Sequence, residues 1–381
     1  MCGGAAAFFV VWVVAPAPLY VLWLAGIAGT EWSPWWGLLG LAGAALGYGA
    51  YRTGARRTGA TGAVLGALAA AVSILPLFQS IPVARHNGVT LSATRFFFGQ
   101  SGAKAAGAPV TRTFATVRGQ ELKLDVYPAQ TPQQTLTGPA IIVVHGGSWS
   151  AGNKSDFAHW DRWLSAEGYT VFDIQYRVAP QPNWREATGD VRTAVGWVKQ
   201  HAAEFQVDPD RIALLGRSAG GHLALLAAYT PGNGGRTYTD THVRAVVSLY
   251  GPTDLAWGYT HPARPDVIDG PGTLRRFLGG TPESVPNAYW EASPINHVGA
   301  ETLPTLLLHG ERDLLVGPQH ARRLSEKLAR AHVPFQAVYL PYALHGFDFN
   351  INGWGSQIEQ PVLLAFLQKH LGPRSAARRL L

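Results

Sequence analysis

Charged residues are almost missing from the first fifth of this 381-residue chain, and this gap limits what the chain can fold into. The sequence holds 31 basic and 24 acidic residues, yet the first 79 positions contain only four of them: Glu31, Arg52, Arg56 and Arg57. Such a segment is not disordered, because disorder needs low hydrophobicity together with high charge. The split predicts an apolar membrane segment at residues 1–84, followed by a soluble domain.

Three charge-free stretches in this segment have the length of membrane-spanning helices. A helix needs about 20 mostly apolar residues to cross the hydrocarbon core, and the stretches at about 5–30, 32–51 and 58–78 meet this requirement. A cleaved signal peptide is the alternative for the first stretch. That stretch, however, lacks a basic start, and its apolar run exceeds the usual length of about 7–15 residues. A three-helix transmembrane segment is therefore expected.

The basic residues of the second turn predict the orientation of this segment. Arg52, Arg56 and Arg57 lie between the second and third stretches, whereas the first turn carries Glu31 and no basic residue. Positive loops stay in the cytoplasm. The first turn and everything after the third span are therefore expected outside, which makes this an integral membrane protein with an extracytoplasmic C-terminal domain.

From about residue 111, short apolar runs alternate with amphipathic segments. The first two runs form a predicted strand pair, and the later ones are rich in Val, Ile and Leu, as is typical of parallel strands covered on both faces. The eight predicted strands are Thr113–Val117, Glu121–Tyr127, Ala140–Val144, Thr170–Gln175, Arg211–Leu215, Ala245–Leu249, Thr305–Leu308 and Gln336–Leu340. This alternation indicates an α/β fold with a mostly parallel sheet.

The remaining segments complete the expected domain organisation. Residues 85–110 are expected to be a linker, 111–372 the α/β domain and 373–381 a basic tail. The proline-rich stretch 251–300 is either a partial lid above the sheet or an ordinary long loop. Basic residues are dispersed, so no nucleic-acid surface is expected. The single cysteine, Cys2, excludes an internal disulfide and a cysteine-based metal site.

A nucleophile elbow is predicted at Gly216-Arg217-Ser218-Ala219-Gly220. This motif follows a predicted strand and precedes an alanine- and leucine-rich segment, which is the strand–turn–helix context that the elbow requires. The helix N-terminus supplies partial positive charge beside the hydroxyl. Ser218 is the predicted nucleophile.

An oxyanion hole is predicted from His145-Gly146-Gly147-Ser148-Trp149, which follows another predicted strand. A tetrahedral intermediate needs donors placed in advance, each worth about 2.7–4 kcal/mol of barrier. No Cβ obstructs the N–H groups of Gly146 and Gly147. These two groups and the N–H of Ala219 are the expected donors.

A serine nucleophile of this kind also needs a base and an acid that orients it, in the chain order Ser, Asp or Glu, His. His345 and Asp313 each follow the C-terminal end of a predicted strand and are assigned these two roles. Glu311 and Asp254 are the rival acids. Three other histidines are interpreted as structural or hydrogen-bonding groups: His145, His222 and His309.

Taken together, these motifs resemble the esterase/lipase branch of the α/β-hydrolases, in particular the BD-FAE-like and hormone-sensitive-lipase-like carboxylesterases. The resemblance covers about residues 111–371. It implies the α/β-hydrolase fold and ester hydrolysis through an acyl-enzyme, with no metal and no organic cofactor. Ser148 and Arg217 depart from the family pattern. The expected substrate-pocket residues are Trp149, Tyr176 and Arg217.

The leading hypothesis is a membrane-anchored serine carboxylic-ester hydrolase acting on a small-molecule or lipid-like ester. An acyltransferase, or an amidase or peptidase, using the same triad is the second interpretation. A non-catalytic membrane interaction protein is the third, although none of the proposed catalytic residues is missing. Since none of them lies in residues 1–84, deletion of that segment is expected to leave an active domain. The sequence does not indicate an oligomeric state.

Overall fold

The computed structural model describes residues 1–99, 108–130, 137–232 and 240–372. The expected basic tail lies outside the described residues. Within them, a single sheet carries helices on both faces, and a group of apolar amino-terminal helices packs beside it.

The sheet has eight strands in the described part of the chain. They are β1 (Val110–Val117), β2 (Gln120–Tyr127), β3 (Gly138–Val144), β4 (Thr170–Ile174), β5 (Val207–Arg217), β6 (Ala245–Leu249), β7 (Thr305–Gly310) and β8 (Phe335–Leu340). Their order is β1-β2-β4-β3-β5-β6-β7-β8. The pairs β1–β2 and β2–β4 are antiparallel, and all other neighbours are parallel. Each strand overlaps one predicted from the sequence, so the predicted α/β sheet is confirmed.

The helices follow the expected alternation after β3. They are α1 (Cys2–Val10), α2 (Tyr20–Glu31), α3 (Ser33–Arg52), α4 (Arg56–Ser73), α5 (Leu75–His86), α6 (Ala93–Phe98), α7 (Ala158–Ala166), α8 (Trp184–Gln200), α9 (Ala219–Tyr229), α10 (Leu255–Thr260), α11 (Gly270–Leu278), α12 (Pro286–Glu291), α13 (Gln319–Arg330) and α14 (Trp354–Leu371). The stretch 251–300 is therefore not an irregular loop, because α10, α11 and α12 lie within it.

Two apolar layers cover the central strands, because successive residues of a strand point to opposite faces. Ile142 of β3 belongs to the layer that includes α8 and α9. Its neighbours Ile141 and Val143 belong to the other layer, which includes α14. The central strands are thus buried on both faces, and their C-terminal ends meet at one edge of the sheet.

The amino-terminal segment differs from the expected three spans. The first expected span is divided into α1 and α2, which have 9 and 12 residues. Pro16 and Pro18 lie between them and interrupt the helix, because proline lacks the N–H that a helix interior needs. Within the described residues, one helical stretch, Arg56–His86, which comprises α4 and α5, is long and apolar enough to cross a membrane. A buried core helix or a signal sequence can also pass this test. The second expected span, α3, is a 20-residue helix whose leucines are diluted by glycine, tryptophan and tyrosine. A three-helix transmembrane segment is not reproduced.

Glycines allow α1, α3 and α4 to pack with their backbones in contact. A Cβ on Gly43 would lie 2.4 Å from the amide nitrogen of Gly3, and a Cβ on Gly66 would lie 2.4 Å from the carbonyl oxygen of Gly40. Contacts this short leave no room for a side chain. The glycine richness of this segment therefore specifies a tight helix bundle.

The expected linker at residues 85–110 contains a docked helix. The ring of Phe96 in α6 stacks on Trp354 of α14, with ring centroids 4.5 Å apart. The N–H of Ser92 donates to Gln357 Oε1 at 2.7 Å. The buried ring of Phe96 explains the difference, because its contact with α14 fixes the helix on the catalytic domain.

Candidate active site

Ser218 stands at the sharp turn between β5 and α9, with φ 54° and ψ −121°. This left-handed backbone is strained by about 1–3 kcal/mol for a residue with a side chain. The turn can close only because positions 216 and 220 are glycine. A Cβ on Gly216 would lie 2.1 Å from the carbonyl oxygen of Gly220, and a Cβ on Gly220 would lie 2.1 Å from the carbonyl oxygen of Val144. Ala219 is the first residue of α9, so its N–H has no acceptor within the helix.

The structure brings the three residues of the expected triad together. Ser218 Oγ lies 2.8 Å from His345 Nε2, and His345 Nδ1 lies 2.7 Å from Asp313 Oδ2. The backbone N–H groups of Leu315 and Val316 donate to Asp313 Oδ1 at 2.8 and 2.9 Å. The carboxylate is thereby fixed, and it holds the imidazole with Nε2 facing the serine.

Asp313 is buried but remains ionised. Burial alone would raise the pKa of its carboxyl, but the facing rings of His345 and His309 more than offset this and hold the pKa below its ordinary value. His309 Nε2 lies 3.3 Å from Asp313 Oδ2 and 2.8 Å from the carbonyl oxygen of Val316. A carboxylate that keeps its charge is what stabilises the imidazolium formed during acyl transfer.

The two rival acids are engaged elsewhere. Glu311 forms an ion pair with Arg322 at 2.5 Å. Asp254 accepts the N–H of Trp257 at the start of α10 and pairs with Arg323 at 2.7 Å. The geometry therefore favours Asp313 over both.

Tyr176 lies behind the loop that follows β3 and sets the direction of its peptide groups. Its hydroxyl lies 3.2 Å from the carbonyl oxygens of both His145 and Gly146. In a trans peptide the N–H points opposite to the preceding C=O, so the N–H groups of Gly146 and Gly147 point away from Tyr176. A Cβ on Gly146 would lie 3.3 Å from the Cβ of Ser218, which places this loop beside that serine.

Ser148 and Trp149 continue this loop with positive φ angles of 52° and 58°. The indole N–H of Trp149 donates to His222 Nδ1 at 3.2 Å, and His222 Nε2 donates to the carbonyl oxygen of Ala292 at 2.7 Å. The Trp149 ring also stacks on Phe277 with centroids 4.2 Å apart. Burial lowers the pKa of His222 to about 4. His222 is therefore a neutral support for Trp149, which agrees with its structural interpretation.

A cleft that is open to solvent lies beside Ser218. Trp149 forms one wall, and the stretch 251–300 forms another through residues such as Leu255 and Leu274. Leu315, from the loop after Asp313, closes a third side. The stretch 251–300 thus contributes one wall of the cleft. Of the three expected pocket residues, only Trp149 is among the described residues that line it.

Arg217 does not face the cleft. Its Nε lies 2.5 Å from Asp348 Oδ2 in a buried ion pair, and its guanidinium stacks over Phe157 at 4.4 Å. Tyr250 donates to Asp348 Oδ1 at 2.6 Å and packs on the His345 ring at 4.4 Å. Arg217 therefore connects the elbow to the loop that carries His345. Sequence reasoning missed Asp348 and Tyr250, although Tyr250 follows the end of β6 at the same sheet edge.

No group of three or more metal-ligating side chains lies together within the ranges that the structure describes. The fold and the arrangement of Ser218, His345 and Asp313 define an α/β-hydrolase of the esterase branch. The chain belongs to the BD-FAE family, whose model matches residues 124–328, more than half of the sequence.

Curated relatives include several esterases. The chain is 34% identical to the probable carboxylic ester hydrolase LipM of Mycobacterium tuberculosis, over 60% of this chain and 54% of that protein. It is 36% identical to the esterase LipC of the same organism, over 59% of this chain and 57% of that protein. The chain thus spans little more than half the length of these relatives. It is also 32% identical to the uncharacterized peptidase YtmA of Bacillus subtilis, over 48% of this chain and 67% of that protein.

Among solved structures, the chain is similar to a thermophilic esterase, Est2, of Thermogutta terrifontis. The TM-score is 0.59 at 25% identity, and the match covers 70% of this chain and 95% of that one.

Proposed function

We propose that this protein is a membrane-anchored serine carboxylic-ester hydrolase that works through an acyl-enzyme. The observation that carries the proposal is the continuous hydrogen-bonded series from Asp313 through His345 to Ser218, beside a cleft that Ser218 itself lines. The esterase relatives support the same reaction class.

The proposed reaction has two steps. Ser218 Oγ attacks the ester carbonyl carbon while His345 Nε2 takes the hydroxyl proton, and the same proton then goes to the oxygen of the leaving alcohol. Water next attacks the acyl-enzyme, with His345 again as base, and the carboxylic acid leaves. Asp313 keeps the imidazole in the required tautomer throughout.

The proposed oxyanion hole consists of the N–H groups of Gly146, Gly147 and Ala219. The support is the orientation imposed by Tyr176 on the first two groups and the helix-start position of the third. Each donor is expected to lower the barrier by about 2.7–4 kcal/mol.

Amide cleavage or acyl transfer is the second candidate. The similarity to YtmA, which is named as a peptidase, favours amide cleavage. The same three residues would serve, since only the scissile bond or the nucleophile that accepts the acyl group would differ. Product analysis with an ester and the matching amide, each with and without an added alcohol, separates the three reactions.

We also propose that α4 crosses the membrane and that α3, although it is less apolar than Arg56–His86, crosses with it as a hairpin, with the catalytic domain outside the cytoplasm. The exposed turn between them carries Arg52, Arg56 and Arg57, and positive turns stay in the cytoplasm. The opposite end of the hairpin follows Glu31, whose carbonyl oxygen accepts a hydrogen bond from Asn350 of the catalytic domain at 2.9 Å. Neither observation requires the first expected span, residues 5–30, to be a continuous helix.

Hydrolysis of a series of para-nitrophenyl esters, from acetate to laurate, tests the proposed activity in the full-length protein. Turnover that depends on Ser218 and His345 is expected, and the preferred member reports the acyl size that the cleft accepts. No turnover of any ester, or turnover that Ser218→Ala leaves intact, would reject the proposal.

A further inference from the structure

The amino-terminal helices contact the two loops that carry the acid and the base. Arg312, next to Asp313, donates to the backbone carbonyls of Trp12 and Val13. The ring centroid of Trp23 in α2 lies 6.5 Å from that of His345. The segment from Trp12 to Glu31 is therefore part of the active-site surroundings and not a separate anchor.

Close packing keeps this arrangement in place. Trp23, only 4% exposed, forms an apolar cluster with Ala17, Ile27 and Leu344, the residue just before His345. A Cβ on Gly26 would lie 3.2 Å from Leu344 Cδ1. The glycine allows α2 to lie directly on the loop of the catalytic histidine.

The chemistry of ester cleavage assigns a role to this position. In the proposed mechanism, His345 Nε2 gives its proton to the leaving alcohol, so the alcohol must lie on the His345 side of the ester. The acyl group then occupies the other end of the cleft, between Trp149 and Leu274. Leu315 lines the cleft and also packs against the Trp23 cluster, so this side chain joins the two regions.

The side chains around Trp23, next to His345, are apolar. Val267 and Leu314 pack against the cluster of Trp23 and Ile27. Farther out on the same segment, large apolar side chains are exposed to the surroundings: Leu19 at 59%, Val21 at 65% and Leu24 at 47%. An apolar chain that leaves the site past Trp23 would therefore continue along an apolar surface.

We propose that Trp23 and α2 form the wall for the alcohol part of the substrate, and that this alcohol is the apolar chain of a lipid ester. The inference rests on the proposed ester hydrolysis. It assigns the selectivity for the alcohol to the amino-terminal helices and the selectivity for the acyl group to the cleft.

The test compares two ester series with the full-length protein in detergent. One series has a constant acetyl group and alcohols from ethanol to dodecanol, and the other consists of para-nitrophenyl esters of increasing acyl length. For the wild type, kcat/KM should rise with alcohol length. Trp23→Ala should lower kcat/KM about tenfold for dodecyl acetate, and much less for ethyl acetate and the para-nitrophenyl series. Trp23→Phe, which keeps an aromatic ring, should retain most of the selectivity.

Trp35→Ala is the matched control, because Trp35 is another amino-terminal tryptophan and packs on Phe97 instead of His345. It should leave both series unchanged. Loss of activity by the same factor across all esters, or no change in Trp23→Ala, would overturn the inference. Labelling of Ser218 by a fluorophosphonate in each variant shows whether the site has folded. A wild type that is not labelled and hydrolyses no ester would instead reject the proposed function.

Discussion

At the scale of single residues, the position of a carboxylate matters more than its presence near the site. Asp313 and Glu311 are two residues apart, yet Asp313 contacts His345 whereas Glu311 pairs with Arg322. Asp313→Asn should lower kcat by about 10⁴, because the imidazole would take the wrong tautomer. Glu311→Gln, the matched control, should stay close to wild type. A larger loss in Glu311→Gln than in Asp313→Asn would show that the acid is misassigned.

The buried ring of His222 is expected to make the stability of the fold depend on pH. Burial lowers its pKa from the usual 6.5 to about 4. Between these values the unfolded chain binds the proton more strongly, so the free energy of unfolding falls as the pH falls from 6.5 towards 4. The free energy of unfolding should fall by about 3 kcal/mol over this pH range, since a pKa shift of one unit corresponds to about 1.36 kcal/mol. Unfolding midpoints at several pH values measure this slope, which His222→Gln should reduce.

His86, at the exposed end of α5, supplies the control. His86→Gln removes an exposed imidazole, so a reduced slope in His222→Gln alone would point to the buried ring. Part of the slope should survive in His222→Gln, because burial also lowers the pKa of His320, to about 3. An identical slope in wild type and His222→Gln would contradict the assignment of a buried neutral ring.

At the scale of elements, the elbow between β5 and α9 depends on backbone contacts that exclude a side chain. A methyl group on Gly220 would meet the carbonyl oxygens of Val144 and His145 at 2.1 and 2.3 Å. Gly220→Ala should therefore abolish activity and lower the unfolding midpoint. Gly189→Ala is the control, since nothing lies within 4 Å of the new methyl group in the interior of α8. It should raise stability by about 0.5–1 kcal/mol. Full activity in Gly220→Ala would refute this account of the turn.

Strands and the residues at their ends can be predicted from the sequence, whereas contacts between distant segments cannot. The eight strands and the strand-end positions of Ser218, Asp313 and His345 follow from local patterns, because parallel strands carry their functional residues at one edge. The contact of Trp23 with His345 joins residues more than 300 positions apart, and no local pattern encodes it. The expectation that deletion of residues 1–84 leaves an active domain did not include this contact, and it stays a prediction.

At the scale of the whole molecule, the orientation of the membrane segment determines on which side of the membrane the catalytic domain lies. If Arg52, Arg56 and Arg57 remain in the cytoplasm, the catalytic domain lies outside, since each arginine costs about 2.5–3.5 kcal/mol at the membrane centre. A reporter that functions only outside the cytoplasm should therefore show activity when it is fused to the C-terminus. Changing the three arginines to glutamate should reduce that signal. Activity of a reporter that works only in the cytoplasm would contradict this orientation.

Charge and composition predict the presence of an apolar segment, but they do not predict its shape. The break at Pro16 and Pro18 is local and visible in the sequence. The position of α2 on the catalytic domain, however, depends on the glycine at 26 and on the loop at Leu344, which meet only in the folded chain. For this reason, the fold of the catalytic domain is predictable from its sequence, whereas the wall beside His345 is not.

The central claim is that Ser218 is the activated nucleophile, and covalent labelling tests it most directly. A fluorophosphonate probe reacts with a serine whose proton is taken by a positioned base, so the full-length protein should be labelled at one site, and peptide mapping should place the label on Ser218. Ser218→Ala should remove the labelling, and His345→Ala should slow it severely. Labelling of Ser218→Ala at the wild-type rate would contradict the account.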